Sequence, residues 1–288
     1  MSHVRNLFHK PPEHPSNPAA ASATDVSENV AAFGNVSEAI GNVSTPATTL
    51  PEFPVEEAHL GPENRLVYYA DPRSPAADRY RLLRMRLKEC GRTGKLKKLL
   101  VTGALAHDGK STVLLNLATA LAERGKHTVL VLEADLHHAS LAESLKLKPW
   151  CGLTECLVDD ATPPLSAIRR IEPLGWYLLP AGEPRRNPTE LLQTPAFGQI
   201  MQKLSPCFDW ILIDSPPVIP LTDSLSLQHH ADASLLVVRA GQTPREAVEQ
   251  TIELLGKKNI LGVVLNGVEV RNHLYYQYHE YNRRDRED

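Results

Sequence analysis

Short, unbroken apolar runs alternate with amphipathic segments from residue 74 onwards. Continuous apolar runs are typical of strands that are buried on both faces of a parallel sheet. Apolar positions spaced three and four residues apart are typical of helices that cover such a sheet. The predicted strands are 98–102, 127–132, 176–179, 210–214, 234–238 and 260–265, and the predicted helices are 75–91, 112–124, 190–204 (interrupted by Pro195) and 245–255. This alternation predicts a three-layer α/β domain with a mostly parallel sheet flanked by helices.

The first 60 residues follow a different pattern, in which small and polar residues are interrupted by proline. Such a composition buries too little apolar surface to offset the loss of chain entropy on folding. We therefore predict a disordered N-terminal tail over residues 1–60. The folded domain is predicted over residues 61–270, and a flexible tyrosine-rich tail over residues 271–288.

Composition and charge narrow the possible partners. The formal net charge is −3, which gives no electrostatic reason to expect a nucleic-acid partner. No apolar run approaches the ~18 residues of a membrane span, and residues 1–12 lack the apolar centre of a secretion signal. The four cysteines form no C-x-x-C pair, as expected for reduced thiols without metal. We expect a cytoplasmic protein whose link to the membrane comes through a partner.

The segment between the predicted strand 98–102 and the helix that follows it has the features of a P-loop. Gly109 permits close approach of the backbone to a phosphate group. Lys110 is placed to bridge the β- and γ-phosphates, and the Ser111 hydroxyl is placed to bind Mg²⁺. Backbone amides of such a loop bind phosphates without adding bulk. The predicted ATP contacts are Ala106, His107, Asp108, Gly109, Lys110, Ser111 and Thr112, the last at the α-phosphate.

This loop departs from the usual P-loop pattern at one position. The glycine expected five residues before Gly109 is replaced by Ala104, and Gly103 precedes it. The alternative interpretation is a capped helix start with a surface lysine. The strand before the loop and the helix after it favour the phosphate site.

Acidic residues follow two further buried strands. Asp214 ends the strand 210–214, as a Walker B carboxylate does, although a turn residue before two prolines is the alternative. Glu133 and Asp135 follow the strand 127–132, and their spacing of two places both on one side, towards the phosphates. One would orient a metal-bound water while the other accepts a proton; ordinary loop acids are the alternative. The predicted Mg²⁺ ligands are Ser111, Asp135 and Asp214.

Two further features lie at the ends of the predicted domain. Asp78, Arg81 and Arg84 lie on one side of the helix that follows Ser74, where they can pair with a neighbouring subunit. The alternative is an exposed pair within the helix, worth only ~0.2–0.5 kcal/mol. The C-terminal segment carries candidate phosphoacceptors, or else an aromatic contact strip for a partner: Tyr275, Tyr276, Tyr278 and Tyr281.

Together these motifs resemble the bacterial tyrosine kinases (BY-kinases) that control capsule and exopolysaccharide assembly, which share a P-loop class with MinD- and ParA-type ATPases. The resemblance covers residues 71–288. Residues 211–217 match the family's Walker B motif, and residues 133–137 are similar to its Asp-x-Asp-x-Arg motif. The helix at residues 74–84 is similar to its E-x-x-R-x-x-R oligomerisation motif, with Asp78 in place of Glu.

The resemblance implies an ATP- and Mg²⁺-dependent protein-tyrosine autokinase that phosphorylates C-terminal tyrosines between subunits. Lys110, Glu133, Asp135 and Asp214 would be catalytic, with Asp135 nearest the acceptor hydroxyl, and Asn266 would contact adenine. The implied partners are further copies of the chain, in a ring or another homo-oligomer, and a separate transmembrane activator that recruits the protein to the inner face of the membrane.

Two departures from the family motif leave other functions open. Glu133 stands where the family has Asp, and His137 stands where it has Arg. Because a misplacement of 1 Å can cost ~100-fold in rate, an ATP-binding switch with weak or no kinase activity is one alternative. A MinD- or ParA-like ATPase is another.

Overall fold

The computed structural model describes residues 51–92, 96–159, 161–220 and 222–268. Within them, eight strands form one sheet in the order β1-β4-β5-β3-β6-β2-β7-β8. All neighbouring strands are parallel except β4 and β5. The strands are β1 (Val55–Glu57), β2 (Lys98–Gly103), β3 (Val129–Glu133), β4 (Arg169–Glu172), β5 (Trp176–Leu179), β6 (Trp210–Asp214), β7 (Ala233–Arg239) and β8 (Ile260–Asn266). The mostly parallel sheet is confirmed.

Helices cover this sheet, and two of them begin at the predicted residues, Pro75 and Arg245. The α-helices are α1 (Val67–Ala70), α2 (Pro75–Gly91), α3 (Lys110–Ala122), α4 (Leu141–Ser144), α5 (Leu153–Val158), α6 (Pro188–Leu192), α7 (Pro195–Leu204), α8 (Asp223–Gln228) and α9 (Arg245–Leu255). Short 3₁₀ turns span Pro62–Asn64, Pro164–Ala167 and Lys257–Asn259. The hydroxyl of Ser74 accepts a hydrogen bond from the Ala77 amide, as expected of a residue that caps α2. The predicted helix 190–204 is divided into α6 and α7, because Pro195 starts a new helix.

The core has two layers, one on each face of the sheet. Leu99 and Val101 of β2 pack on one face with α2 and α3, whereas Leu100 packs on the other with α5 and α7. All three side chains are fully buried. The central strands are therefore covered on both faces, which explains their continuous apolar sequences.

The predicted boundary at residue 60 is wrong for residues 51–60. β1 pairs with β4 at the edge of the sheet, and the Phe53 ring lies 5.2 Å from that of Tyr177 and 6.1 Å from that of Phe208. A strand of three residues is too short to show the alternation of apolar and polar residues that identifies a strand, so its sequence resembles the preceding tail. The remaining tail predictions, over residues 1–50 and 271–288, lie outside the described residues. Among the helices that the structure describes, none has the length and apolar character that a membrane span requires.

Candidate active site

The loop between β2 and α3 depends on a glycine at its end. Gly109 adopts a left-handed backbone with φ of 89° and caps α3. A Cβ atom at this position would lie 2.0 Å from Nδ2 of Asn266, so no larger residue fits without displacing that amide. α3 accordingly begins at Lys110, two residues before the predicted start at 112.

The loop is held from within by the buried side chain of Asp108. Its Oδ2 accepts a hydrogen bond from the Leu105 amide at 2.9 Å. Its Oδ1 accepts one from the Thr243 hydroxyl at 2.6 Å, and the same hydroxyl oxygen accepts from the Arg239 amide at 2.9 Å. The loop conformation is therefore fixed by the segment between β7 and α9.

Two further side chains hold the loop through its carbonyl groups. Asn266, at the end of β8, donates to the Asp108 carbonyl at 3.0 Å. Arg239, at the end of β7, donates to the His107 carbonyl at 3.1 Å. Asn266, predicted to contact adenine, is thus also a support of the loop.

A cavity of about 820 Å³ opens over the loop. It is lined by six of the predicted nucleotide contacts, including Asn266 at the end of β8, by the end of β7, and by a segment that precedes α2. The lining residues are His107, Gly109, Lys110, Ser111, Thr112, Arg239, Ala240, Gln242, Asn266, Gly267, Pro62, Arg65 and Val67. Ala106 and Asp108, which were also predicted, are not among these lining residues; Ala106 is exposed and Asp108 is buried.

The acids of two neighbouring strands meet beside the loop. Glu133 and Asp214 are directly opposite in the parallel pairing of β3 and β6, and both are almost fully buried. Burial raises the pKa of Asp214 well above its usual range, and the charges of Glu133 and Asp135 add to this effect while Lys110 opposes it. The site therefore concentrates negative charge next to one buried ammonium group.

One oxygen of this cluster is suited to a cation. Oδ1 of Asp214 is buried and has no hydrogen-bond partner among the described residues. No group of three or more His, Cys, Asp or Glu side chains in the described part of the chain could hold a metal ion alone. Mg²⁺ usually binds proteins through one or two carboxylates together with water and phosphate oxygens. Ser111, Asp214 and Asp135 therefore fit a Mg²⁺ that arrives with a nucleotide.

The Glu133 carboxylate binds backbone amides through both of its oxygens. Its Oε1 accepts hydrogen bonds from the amides of Ser140 at 2.7 Å and Leu141 at 2.6 Å, and its Oε2 accepts one from the Ala181 amide at 3.1 Å. The extra methylene of Glu, relative to Asp, extends the carboxylate to these backbone groups. Because both oxygens bind backbone amides, Glu133 holds the acidic loop in place, and its catalytic role stays a prediction.

Asp135 and His137 lie on that loop. Oδ1 of Asp135 accepts from the His138 amide at 3.0 Å. His137 Nε2 lies 2.9 Å from Oδ2 of Asp223, which is 1% exposed at the start of α8, and 3.4 Å from the Thr189 hydroxyl. The residue that replaces the family arginine is thus tethered to α8. Asp223 was not predicted, since it follows no strand and belongs to no motif.

The predicted oligomerisation residues make contacts within the chain. Arg81 pairs with Asp78 at 2.6 Å and lies over the Tyr68 ring, 5.4 Å from its centre. Arg84 donates to the Tyr68 hydroxyl at 3.2 Å and lies 3.6 Å from Glu123. The structure therefore contains the intrahelical pair that was the alternative interpretation, and contact with a second subunit stays a prediction. The candidate phosphoacceptor tyrosines lie outside the described residues.

Comparisons with known proteins agree with this geometry. The CobQ/CobB/MinD/ParA nucleotide binding domain (CbiA) matches residues 99–286. The chain is 31% identical to tyrosine-protein kinase CpsD of Streptococcus agalactiae over 67% of its own length and 86% of that protein. It is 27% identical to tyrosine-protein kinase YwqD of Bacillus subtilis over 75% of its own length and 92% of that protein.

Longer proteins and a solved structure are also similar. The chain is 29% identical to succinoglycan biosynthesis transport protein ExoP of Rhizobium meliloti over 69% of its own length, but this covers only 26% of ExoP. The kinase domain of the Escherichia coli tyrosine kinase ETK superposes with a TM-score of 0.68 at 26% identity, covering 72% of this chain and 81% of that domain. These similarities and the site geometry agree on a nucleotide-binding P-loop fold of the kinase type.

Proposed function

This chain belongs to the CobQ/CobB/MinD/ParA nucleotide-binding family and, within it, to the bacterial tyrosine-protein kinases, and from that premise we propose that it transfers the γ-phosphoryl group of ATP to tyrosines in its own C-terminal segment. The observation that carries this proposal is the buried Oδ1 of Asp214, which has no hydrogen-bond partner in the described part of the chain and lies in the acid cluster beside Lys110. A carboxylate in this position is suited to a cation that accompanies a triphosphate.

The P-loop would bind and orient the phosphates. The Lys110 side chain is 8% exposed, so its charge acts where water screens it weakly. The loop ends at the N-terminus of α3, where free backbone N–H groups and the positive end of the helix dipole stabilise phosphate oxygens. Ser111, Asp214 and Asp135 would hold Mg²⁺, which when bound neutralises charge on the phosphates.

Asp135 is the group that we propose to accept the proton of the tyrosine. The phenolic oxygen forms a bond to the γ-phosphorus while the bond from that phosphorus to the β–γ bridging oxygen breaks and ADP leaves. The phenolic proton passes to the Asp135 carboxylate and then to solvent. Asp135 is preferred over Glu133 because the oxygens of Glu133 bind three backbone amides.

Assembly and biological setting follow from the relatives rather than from the site. We propose homo-oligomers, such as rings, in which Asp78, Arg81 and Arg84 face a neighbouring subunit and tyrosines of one chain enter the site of another. We further propose a cytoplasmic kinase that a separate transmembrane activator recruits to the inner face of the membrane. ExoP, a polysaccharide transport protein by name, supports a role in exopolysaccharide or capsule synthesis or export.

A second candidate function is an ATP-binding switch with little phosphoryl transfer. It is favoured by the fixed carboxylate of Glu133 and by the tether between His137 and Asp223. In this case nucleotide binding would change the assembly of the protein, and the tyrosines would serve as a contact surface.

Mass spectrometry of the full-length chain after incubation with ATP and Mg²⁺ distinguishes these functions. We expect phosphate on Tyr275, Tyr276, Tyr278 or Tyr281. Lys110→Met should abolish both nucleotide binding and modification, whereas Lys148→Met, at an exposed position outside the cavity, should change neither. ATP binding without modification would refute the kinase and favour the switch, and unchanged binding by Lys110→Met would refute the phosphate site.

A further inference from the structure

A single buried amide connects the P-loop helix to the chain that precedes α2. Asn116 is fully buried in α3, among otherwise mainly apolar residues. Its Nδ2 donates to the carbonyls of Arg65 at 3.0 Å and Thr112 at 2.8 Å, and its Oδ1 accepts from the Tyr68 amide at 3.0 Å. A buried amide is costly unless its hydrogen bonds are made, and here they fix residues 61–68, which we call the arm, against α3.

The arm is also held by Asn64, which is 8% exposed. Its Nδ2 donates to the Ser144 carbonyl, and its Oδ1 accepts from the Gly61 amide at 2.6 Å. Between these two attachments, Arg65 adopts a left-handed backbone with φ of 51°. A non-glycine residue persists in this conformation only where its surroundings impose it, and such residues cluster at ligand sites.

Arg65 lines the nucleotide cavity and is exposed. Within the described residues its guanidinium makes no hydrogen bond or ion pair in the structure. Its carbonyl and that of Thr112 accept from the same nitrogen, so Arg65 lies beside the first turn of α3. Among the described residues, the cavity is lined by Arg65, Lys110 and Arg239 and by no acidic side chain, so this part of its lining is suited to an anion.

We propose that Arg65 binds the α-phosphate of the nucleotide. This inference rests on the proposed nucleotide binding and adds a contact from outside the matched domain, which begins at residue 99. Thr112, beside Arg65, belongs to the turn of α3 where the α-phosphate is expected, whereas Lys110 serves the β- and γ-phosphates. The planar guanidinium offers two parallel N–H groups to phosphate oxygens. Nucleotide binding thereby stabilises the arm, and the arm increases the affinity for nucleotide.

Substitution of Arg65 by Gln tests this contact with a matched control. Arg124 is also an exposed arginine with a left-handed backbone, with φ of 61°, and it lies outside the nucleotide cavity. Affinities for ATP, ADP, AMP and adenosine would be measured with the full chain by competition against a fluorescent ATP analogue. Thermal unfolding of both variants shows whether the arm remains folded.

Arg65→Gln should lower the affinities for ATP, ADP and AMP by the same factor, about 10- to 100-fold, as expected for the loss of a charged hydrogen bond. The affinity of Arg65→Gln for adenosine should be unchanged, and Arg124→Gln should bind all four ligands as the wild type does. The nucleotide affinities of Arg65→Lys should lie between those of Arg65→Gln and the wild type. Unchanged ATP affinity, a loss confined to ATP, or an equal loss for adenosine would each overturn the assignment. If the wild-type chain binds none of these nucleotides, the proposed function fails instead.

Discussion

Shortening Glu133 by one methylene tests whether this residue anchors the acidic loop. Glu133→Asp keeps the charge but withdraws the carboxylate by ~1.5 Å, one carbon–carbon bond. Its hydrogen bonds to the amides of Ser140 and Leu141, now 2.7 and 2.6 Å long, would then exceed hydrogen-bonding distance. The substitution restores the residue that the kinase family usually has, and we nevertheless expect it to destabilise this chain.

The expected loss follows from the backbone amides that would be left without an acceptor. Ser140 is exposed, so its amide can bind water at little cost, whereas Leu141 is fully buried and Ala181, whose amide donates to Oε2 at 3.1 Å, is 3% exposed. An unsatisfied buried donor costs ~1–3 kcal/mol, and each lost bond to a charged group contributes on the order of 1.5–3 kcal/mol before water replaces it. We expect the free energy of unfolding to fall by about 2–3 kcal/mol, and the midpoint of thermal unfolding by roughly 4–12 °C for a domain of this size.

Urea unfolding of both proteins, without nucleotide, measures this difference. Glu143→Asp, at an exposed position on α4, is the matched control and should change stability by less than about 0.5 kcal/mol. If Glu133→Asp is as stable as the wild type, the anchoring role is refuted. If it is stable but transfers phosphate at a much lower rate, Glu133 is instead part of the catalytic machinery.

Two further predictions concern the buried acids that surround the loop. Burial and the charge of Glu133 raise the pKa of Asp214 above 3.8. The folded state therefore retains a proton that the unfolded chain releases. Without metal, the free energy of unfolding should fall as pH rises from about 4 towards neutrality. Asp214→Asn should make the free energy of unfolding less dependent on pH and should stabilise the chain by ~1–2 kcal/mol at pH 7. An unchanged pH dependence in urea titrations at several pH values would contradict this. Thr243→Val removes the hydroxyl that donates a hydrogen bond to Asp108. It should lower the free energy of unfolding by ~1–3 kcal/mol and the ATP affinity, measured by calorimetry, by about tenfold. Unaltered affinity would show that this contact does not position the loop.

The central strands and the phosphate loop were predictable because their signals are local. β5 and β6 have the predicted bounds, since each is a continuous apolar run that ends at a polar residue or a turn. Gly109, Lys110 and Ser111 were identified from a tetrapeptide and its position between a strand and a helix. β1 and β4 were not predicted, because one has three residues and the other begins with two arginines.

Contacts between distant segments were not predictable in this way. Thr243 lies 135 residues from Asp108, and Arg65 lies 51 residues from Asn116, so no periodicity relates them. Asn116 did offer a signal, since an amide among apolar residues of a buried helix must find partners. The sequence does not specify which partners, and the direction of the Glu133 carboxylate likewise depends on the position of the Ser140 and Leu141 amides.

The attachment point of the C-terminal segment has a kinetic consequence. Asn266 lines the nucleotide cavity at the end of β8, and Tyr275 follows nine residues later in the sequence. A chain of that length spans at most about 30 Å, so the tyrosine is tethered near its own site at an effective concentration in the millimolar range. Under the proposed function, reaction within one chain therefore competes with reaction between chains. The initial rate per chain, measured at several protein concentrations, separates the two cases. It does not change with concentration if reaction occurs within one chain, and it rises until assembly is complete if reaction occurs between chains.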